Sequence, residues 1–233
     1  MWFDRLWELL QARVFSLPSE TDGSSGLLNF YSSSDTLSEL PQAAFLRRLN
    51  LLSWLQSLPE LPGVLLVGEA PGWRGCRFSG VPFTSEAQLA AACLPFDGRR
   101  TSRFARPSQE ATASVFWREL LPFHGQFFAW NVLPIHPHLA GLPLSNRNPG
   151  QSEIDRFLPL LDEIIQLLSP RQVVAVGCCA SRAINRLGYP VTPIRHPAHG
   201  GASAFRVGIL EVFALGNPDP VGTGRRLDEL PKV

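Results

Sequence analysis

The sequence predicts a three-layer α/β/α domain built on a short, four-stranded parallel sheet. Two observations carry this prediction: apolar runs of strand length recur four times, and helical patterns separate them. A strand that is apolar along its whole length is buried on both faces, as in parallel sheets covered by helices. The chain has 233 residues, 45% of them apolar and 18% charged, which suits one substantial domain with a packed core.

The N-terminal part of the chain predicts helices. Apolar residues recur at helical spacing at Leu6, Leu9, Leu10 and Val14. A Ser/Gly-rich loop is expected at 19–26 and a second helix at 38–57. The expected buried stripe of that second helix is Phe45, Leu46, Leu49, Leu52 and Leu55. We therefore expect residues 1–60 to form a helical region packed on an α/β domain of residues 61–216, followed by a Pro/Gly-rich tail at 217–233.

The four apolar runs of the α/β part are 64–67, 127–130, 172–176 and 191–194. Helical patterns at 108–121, 152–168 and 180–187 precede the second, third and fourth runs. In open parallel sheets, ligands bind beyond the carboxyl ends of the strands. The residues that directly follow the runs are Gly68-Glu69-Ala70-Pro71-Gly72, Asn131, Gly177-Cys178 and Arg195-His196-Pro197. A carboxylate, an amide and an imidazole are thus expected to converge at one edge of the sheet.

Charge, hydropathy and cysteine usage restrict the class of protein. The 21 basic and 20 acidic residues leave a net charge of +1, which neither demands nor excludes nucleic acid as a partner. No apolar run reaches the roughly 18 residues of a membrane span, and residues 1–18 read as an amphipathic helix instead of a signal peptide. The four cysteines, which show no disulfide spacing, are Cys76, Cys93, Cys178 and Cys179. We expect a reduced, cytoplasmic monomer that works away from membranes.

Three segments at predicted strand ends resemble motifs of the uracil-DNA glycosylase superfamily. Gly68-Glu69-Ala70-Pro71-Gly72 with Gly80-Val81-Pro82-Phe83 is similar to the first motif, and Trp130-Asn131-Val132 to the central one. Arg195-His196-Pro197-Ala198-His199-Gly200-Gly201 is similar to the last. The likeness spans residues 60–210 and is nearest to the branch whose usual members carry an iron–sulfur cluster. It implies an enzyme that removes uracil or a related deaminated base from single- or double-stranded DNA.

The resemblance also implies a role for each site residue. Glu69 would position or activate the attacking water, and His196 would donate a hydrogen bond to uracil O2 as the base leaves. Phe83 would stack on the extruded base. The Asn131 amide would accept from uracil N3–H and donate to O4, a pattern that cytosine reverses. Gly68 and Ala70 would let the turn approach the extruded nucleotide closely.

The last motif and an arginine-rich segment are the expected DNA contacts. The residues of the last motif that would contact DNA, partly as a small minor-groove wedge, are Arg195, Pro197, Ala198, His199 and Gly200. The arginines that would track phosphates are Arg99, Arg100, Arg103 and Arg106. The same segment fits an ordinary solvated loop equally well.

Neither a metal nor a cofactor is expected. Cys178-Cys179 with the histidines at 136, 138, 196 and 199 lacks zinc-ligand spacing. No cysteine precedes Cys76 and none lies between Asn131 and Cys178, so the cluster of the nearest branch should be absent and the aromatic N-terminal region should take over its structural role. The only lysine, Lys232, lies in the tail, which argues against a Schiff-base lyase step.

Two other functions remain open at this point. The chain could be a glycosylase-fold protein with altered chemistry, acting as a nucleic-acid binding or damage-sensing module. It could also be an unrelated hydrolase in which Glu69 and His196 act on a small substrate. A G-x-S-x-G motif is absent, which argues against acyl transfer in that case.

Overall fold

A parallel sheet of four strands lies at the centre of the computed structural model, which describes residues 1–20, 26–35 and 37–214. The strands, in chain order, are β1 (Gly26–Leu28), β2 (Val64–Gly68), β3 (Phe127–Asn131), β4 (His136–His138), β5 (Gln172–Val176) and β6 (Thr192–Ile194). The central sheet has the order β3-β2-β5-β6, and every neighbouring pair is parallel. Helices flank this sheet, so the predicted α/β/α class and its four core strands are confirmed.

Eight α-helices surround the sheet in the described part of the chain. They are α1 (Trp2–Leu10), α2 (Ala43–Gln56), α3 (Cys76–Ser79), α4 (Glu86–Ala90), α5 (Ala111–Leu120), α6 (Gln151–Leu168), α7 (Cys178–Arg186) and α8 (Ala202–Ala214). The predicted helical patterns of the α/β part correspond to α5, α6 and α7, whereas α8 was not predicted. None of the helices in the described ranges is long and apolar enough to cross a membrane.

One apolar cluster joins the N-terminal helices to the sheet. Leu6 and Leu10 of α1 are fully buried and belong to the same cluster as the strand residues. On α2, Trp54 stacks on Phe128 of β3 with ring centroids 5.2 Å apart. The division of the chain at residues 60 and 216 stays a prediction, and the predicted tail at 217–233 falls outside the described residues.

The buried face of α2 differs from the predicted stripe. Phe45 is 53% exposed, and Leu49 and Leu52 are only half-buried. Arg47 and Asn50 are buried instead, because Arg47 pairs with Glu39 at 2.6 Å and the Asn50 amide donates to the Ser79 carbonyl at 2.8 Å. A search for apolar periodicity alone could not place these two polar residues inside.

A small two-stranded sheet ties the N-terminal region to the chain beyond β3. β1 pairs antiparallel with β4, with Gly26 opposite His138, and a Cβ on Gly26 would overlap the His138 ring. Of the predicted loop at 19–26, residues 21–25 lie outside the described part, and Gly26 opens β1. The sequence did not predict this pair, since β4 reads His-Pro-His and shows no apolar alternation.

Candidate active site at the carboxyl edge of the sheet

Two predicted site residues meet where β2 and β3 end. Gly68 and Asn131 are register partners in the parallel pair, so both lie at the carboxyl edge. A Cβ on Gly68 would lie 2.5 Å from Phe83 Cζ and 2.7 Å from Asn131 Oδ1. Only glycine therefore lets the Phe83 ring and the Asn131 amide approach the strand end together.

A cavity of about 420 Å³ opens at this edge. The predicted site residues that line it are Glu69, Ala70, Phe83, Asn131, Arg195, His196, Ala198 and His199. Gly68 lies just behind the wall, against Phe83 and Asn131. Pro197 and Gly200 do not line the cavity: Pro197 is buried, and Gly200 is exposed with a φ of 75°. The loop thus offers the cavity the side chains on either side of Pro197, while Gly200 supplies a left-handed turn.

The first-motif turn directs the half-buried Glu69 side chain into the cavity. Backbone N–H groups of Val132 and Leu133 donate to the carbonyls of Gly68 and Glu69 at 2.9 and 3.0 Å. The Glu69 carboxylate accepts no hydrogen bond from any residue that the structure describes. Burial raises the pKa of Glu69, and the nearby positive charge of Arg182 opposes that shift. This is the electrostatic setting of a general base.

A histidine of β4 hydrogen-bonds to the backbone of the same turn. His136 is fully buried, and its Nδ1 lies 2.8 Å from the Pro71 carbonyl. Burial lowers the pKa of His136 to about 4, so the ring is neutral and Nδ1–H donates to that carbonyl. The small β1–β4 sheet therefore helps to fix the position of the turn that carries Glu69.

Phe83 forms a flat apolar wall of the cavity. Its ring stacks on Phe116 of α5 at a centroid distance of 4.5 Å and an interplanar angle of 6°. The Phe83 backbone has a φ of 53°, a strained conformation for a non-glycine residue. Strain of this kind persists where the surroundings fix it, and it is concentrated at functional sites.

Asn131 brings an unpaired amide to the cavity, near Phe83 at the strand end. The residue is 5% exposed, and its side chain makes no hydrogen bond within the described part of the chain. Buried amides are normally hydrogen-bonded within the protein or to a ligand. The donors and the acceptor of Asn131 are therefore available to a planar ligand in the cavity.

The loop after β6 fixes the tautomer of His196. The Ala198 backbone N–H donates to His196 Nδ1 at 3.1 Å, so Nδ1 is the acceptor and Nε2 carries the proton. Burial, with the neighbouring charges of Arg195 and His199, lowers the pKa of His196 and keeps the ring neutral at pH 7. His199 has a φ of 51°, and a Cβ on Gly201 would overlap the His196 carbonyl. The loop thus presents a neutral N–H donor.

Glu110, just before α5, is a cavity residue that the sequence analysis missed. A Cβ on Gly72 or on Gly75 would overlap its carboxylate, so these glycines make room for a second acid against the turn. The carboxylate accepts no hydrogen bond from the described residues, and burial raises its pKa to about 7. Its position before a helical run looks like an ordinary helix start, and no local signal shows its contact with Gly72.

The predicted phosphate-tracking arginines lie outside the cavity. Glu86 holds their segment in place by accepting from the N–H groups of Thr101 and Ser102. The side chains of Arg100 and Arg103 bond to backbone carbonyls, whereas those of Arg99 and Arg106 are exposed. The structure therefore does not bring these four residues to the cavity, and phosphate contact by them stays a prediction.

The fold and the cavity define a class: an α/β/α protein with a mainly parallel sheet and a ligand site at the carboxyl edge. Residues 56–229 match the family model described as the Uracil DNA glycosylase superfamily. The chain belongs to this superfamily, which confirms the resemblance of the motifs and sets aside an unrelated hydrolase.

Two relatives illustrate how far the likeness extends. A type-4 uracil-DNA glycosylase from Pyrobaculum aerophilum is 29% identical over 126 residues, covering 54% of this chain and 49% of that protein. The match thus spans about half the length of this curated relative. The crystal structure of wild-type SMUG2 from Pedobacter heparinus has a TM-score of 0.66 and 15% identity, covering 93% of this chain and 99% of that one. This second likeness shows the shared fold alone.

The cysteines do not fit the iron–sulfur cluster of the branch that the motifs resemble. Cys76 and Cys179 are buried, Cys93 and Cys178 are exposed, and no three metal-ligating side chains are grouped among the described residues. Burial raises the pKa of Cys76 and raises that of Cys179 to about 11, whereas a cluster ligand must be a thiolate. No step of the chemistry below involves such a cluster.

Proposed function

We propose that this chain is a monofunctional DNA glycosylase that hydrolyses the N-glycosidic bond of uracil, or of a related deaminated base, in DNA. The observation that carries the proposal is that Glu69, Phe83, Asn131 and His196 line one cavity. Its size suits a single extruded base, because a pocket for a small ligand begins at about 300 Å³. The products are a free base and an abasic site.

Base recognition rests on Phe83 and Asn131. The Phe83 ring is held flat by Phe116, and such a face adds roughly 1–3 kcal/mol per stacked base. The free Asn131 amide accepts from N3–H and donates to O4 of uracil. Cytosine has the opposite donor pattern on that edge and would leave the buried amide unpaired, which disfavours its binding.

The chemical step uses Glu69 and His196. Water attacks the anomeric carbon and gives its proton to the Glu69 carboxylate. The C–N bond breaks, and its electron pair leaves with the base. Charge develops on O2 of the departing base, where the Nε2–H group of a neutral His196 donates a hydrogen bond. A preorganised donor of this kind typically lowers the activation free energy by several kcal/mol.

The N-terminal region enters the proposal as a scaffold. β1 pairs with β4, and His136 of β4 bonds to the Pro71 carbonyl of the turn. We propose that residues 1–60 support the active-site turn, consistent with the notion that they replace the structural role of a cluster. They are not expected to contact the base, because the described residues that line the cavity all come after residue 68.

The decisive test compares Asn131→Ala and His196→Ala with the intact chain. We expect each substitution to reduce uracil release from a single-uracil oligonucleotide by about a hundredfold or more, with DNA affinity changed only a few-fold. Rates come from single-turnover gel assays and affinities from fluorescence anisotropy. The matched controls are Asn185→Ala and His124→Ala, whose side chains do not line the cavity.

The outcome separates an enzyme from a damage-sensing module. If the intact chain binds DNA but releases neither uracil nor hypoxanthine from single- or double-stranded DNA, the chain is a binding module and the proposed chemistry is wrong. A rate loss in both control variants equal to that of the cavity variants would contradict the assigned roles.

A further inference from the structure

A shallow groove of about 460 Å³ lies beside the cavity and has no part in the chemistry above. Its apolar floor consists of Trp73, Phe104 and Leu144. Trp73 and Phe104 are half-buried, and Leu144 is 38% exposed. We propose that this groove binds unpaired bases of the DNA strand that carries the nucleotide in the cavity, so that the substrate is a single-stranded or locally opened region. The inference rests on the proposed function, because it places the neighbours of the extruded nucleotide.

The groove begins where the cavity ends. Gly72 and Glu110 line the cavity, and their chain neighbours Trp73 and Gln109 line the groove. Asn146, which also lines the cavity, accepts a hydrogen bond from the Trp73 backbone N–H at 2.9 Å. A strand with one nucleotide in the cavity therefore reaches this floor with the next bases along its length.

The aromatic floor is held in place before any ligand arrives. The Phe104 ring meets the buried Phe78 ring edge-on, with centroids 5.2 Å apart. The Arg74 guanidinium lies over the Trp73 ring at 4.7 Å, and the Ser108 hydroxyl donates to the Arg74 carbonyl at 2.8 Å. A fixed aromatic surface loses little conformational entropy when a base stacks on it.

Charge identifies nucleic acid as the occupant. Among the residues that the structure describes, the groove is lined by Arg74 and Arg106 and by no acidic side chain. Both arginines are exposed, and neither forms an ion pair with another described residue. Aromatic faces flanked by unpaired arginines are the combination that single-stranded nucleic acid requires, because bases stack while phosphates are neutralised. A base-paired duplex hides its base faces and could use only the arginines.

The test measures affinity for an undamaged single-stranded 12-mer of thymidine by fluorescence anisotropy. We expect Trp73→Ala to weaken binding by roughly 5- to 150-fold, because it removes a stacking platform, and Trp73→Phe to restore most of the affinity. Arg106→Gln should lower the slope of log K against log salt by about 0.7, the value for one phosphate contact on a single strand. Affinity for the blunt duplex of the same sequence should change less than twofold in Trp73→Ala.

Control substitutions and the uracil-release assay distinguish a failure of the groove proposal from a failure of the glycosylase proposal. Phe45→Ala and Arg5→Gln replace exposed residues outside the groove and should leave both readouts unchanged. If the intact chain releases uracil while Trp73→Ala and Arg106→Gln bind the 12-mer as it does, the groove proposal is overturned and the glycosylase proposal stands. If no base is released but these variants still lose affinity as described, the groove stands and the enzyme proposal fails.

A stability measurement separates loss of DNA contacts from loss of folding in these variants. Arg106 is exposed and makes no described side-chain contact, so Arg106→Gln should fold normally even if Trp73→Ala melts early. An unchanged salt slope in a folded Arg106→Gln protein, together with full affinity for the 12-mer in a folded Trp73→Ala protein, would contradict the proposal.

Discussion

Two pairs of carboxylates in this molecule are shielded from water, one pair with hydrogen-bond or ion-pair partners and the other without. Glu39 and Glu86, beneath the N-terminal region and the arginine-rich segment, are fully buried. Glu39 forms ion pairs with two guanidinium groups, those of Arg47 at 2.6 Å and Arg77 at 3.2 Å. Glu86 accepts backbone N–H bonds from the arginine-rich segment, including one from Thr101 at 2.6 Å. Both acids hold separate segments of the chain together.

Glu69 and Glu110, at the cavity, have no such partners. Neither carboxylate accepts a hydrogen bond from the described residues, and burial raises the pKa of both. A buried acid that is paired stabilises the structure, whereas an acid that is desolvated and unpaired is held ready to exchange a proton. The comparison therefore separates the two acids that hold segments of the chain together from the two desolvated acids of the cavity without reference to any relative.

The largest expected effect tests the functional side of this comparison. Glu69→Gln should reduce the single-turnover rate of uracil release by about 10²–10⁴-fold, the usual contribution of a positioned general base. The free energy of unfolding should stay the same or rise, because the amide removes a desolvated charge. Glu163→Gln, on the exposed face of α6, is the control. A loss below tenfold would show that Glu69 is not the group that activates water.

The structural side is tested by Glu39→Gln. This change leaves two buried guanidinium groups without a counter-charge, and breaking a buried pair in this way typically costs about 3–5 kcal/mol. Urea unfolding at neutral pH measures the loss, with the exposed pair of Arg13 and Glu163 as a reference worth less than about 1 kcal/mol. The rate of base release per folded molecule should be unchanged. A destabilisation no greater than that of Glu163→Gln would contradict the structural role of Glu39.

The central sheet and three of the cavity residues could be predicted from the sequence. The strands β2, β3 and β5 are built mainly of buried apolar residues, so pattern alone locates them. Glu69 follows β2, Asn131 ends β3 and His196 lies two residues beyond β6, and the carboxyl ends of parallel strands meet at one edge. Chain adjacency to a strand end was thus sufficient to bring these side chains to one cavity, while their chemical roles stay a proposal.

The features that the sequence did not predict depend on contacts between distant segments. Glu110 reaches the turn at Gly72 only after α5 has packed against the sheet. Arg47 is buried on α2 because Glu39 meets it there, so the buried face is shifted from the predicted stripe, of which only Leu46 and Leu55 are buried. Trp73 likewise becomes a groove residue only through its contact with Asn146. A polar residue whose burial depends on a distant partner leaves no periodic signal in its own segment.

The smallest expected effect is a pH-dependent change in the free energy of unfolding on substitution of Glu110. It tests whether this cavity carboxyl, which has no assigned step in the chemistry, is unpaired like Glu69 or paired like Glu39 and Glu86. The pKa of Glu110 is about 7 in the folded chain and ordinary, about 4.3, when unfolded. The folded state therefore binds more protons between these values, and stability falls as the pH rises from 5 to 8. Glu110→Gln has no such proton, so its advantage over the intact chain should grow across this range, by on the order of 1–2 kcal/mol.

Urea unfolding at pH 5 and at pH 8 measures this difference directly, with Glu163→Gln as a control that should follow the intact chain at both values. Parallel pH dependence in Glu110→Gln and the intact chain would mean that the Glu110 carboxylate has a partner in solution. Glu110 would then belong with Glu39 and Glu86 as a structural acid. If the difference appears, the cavity holds two desolvated acids that are distant in the sequence, Glu69 and Glu110. The second is admitted because a Cβ at Gly72 or at Gly75 would overlap its carboxylate.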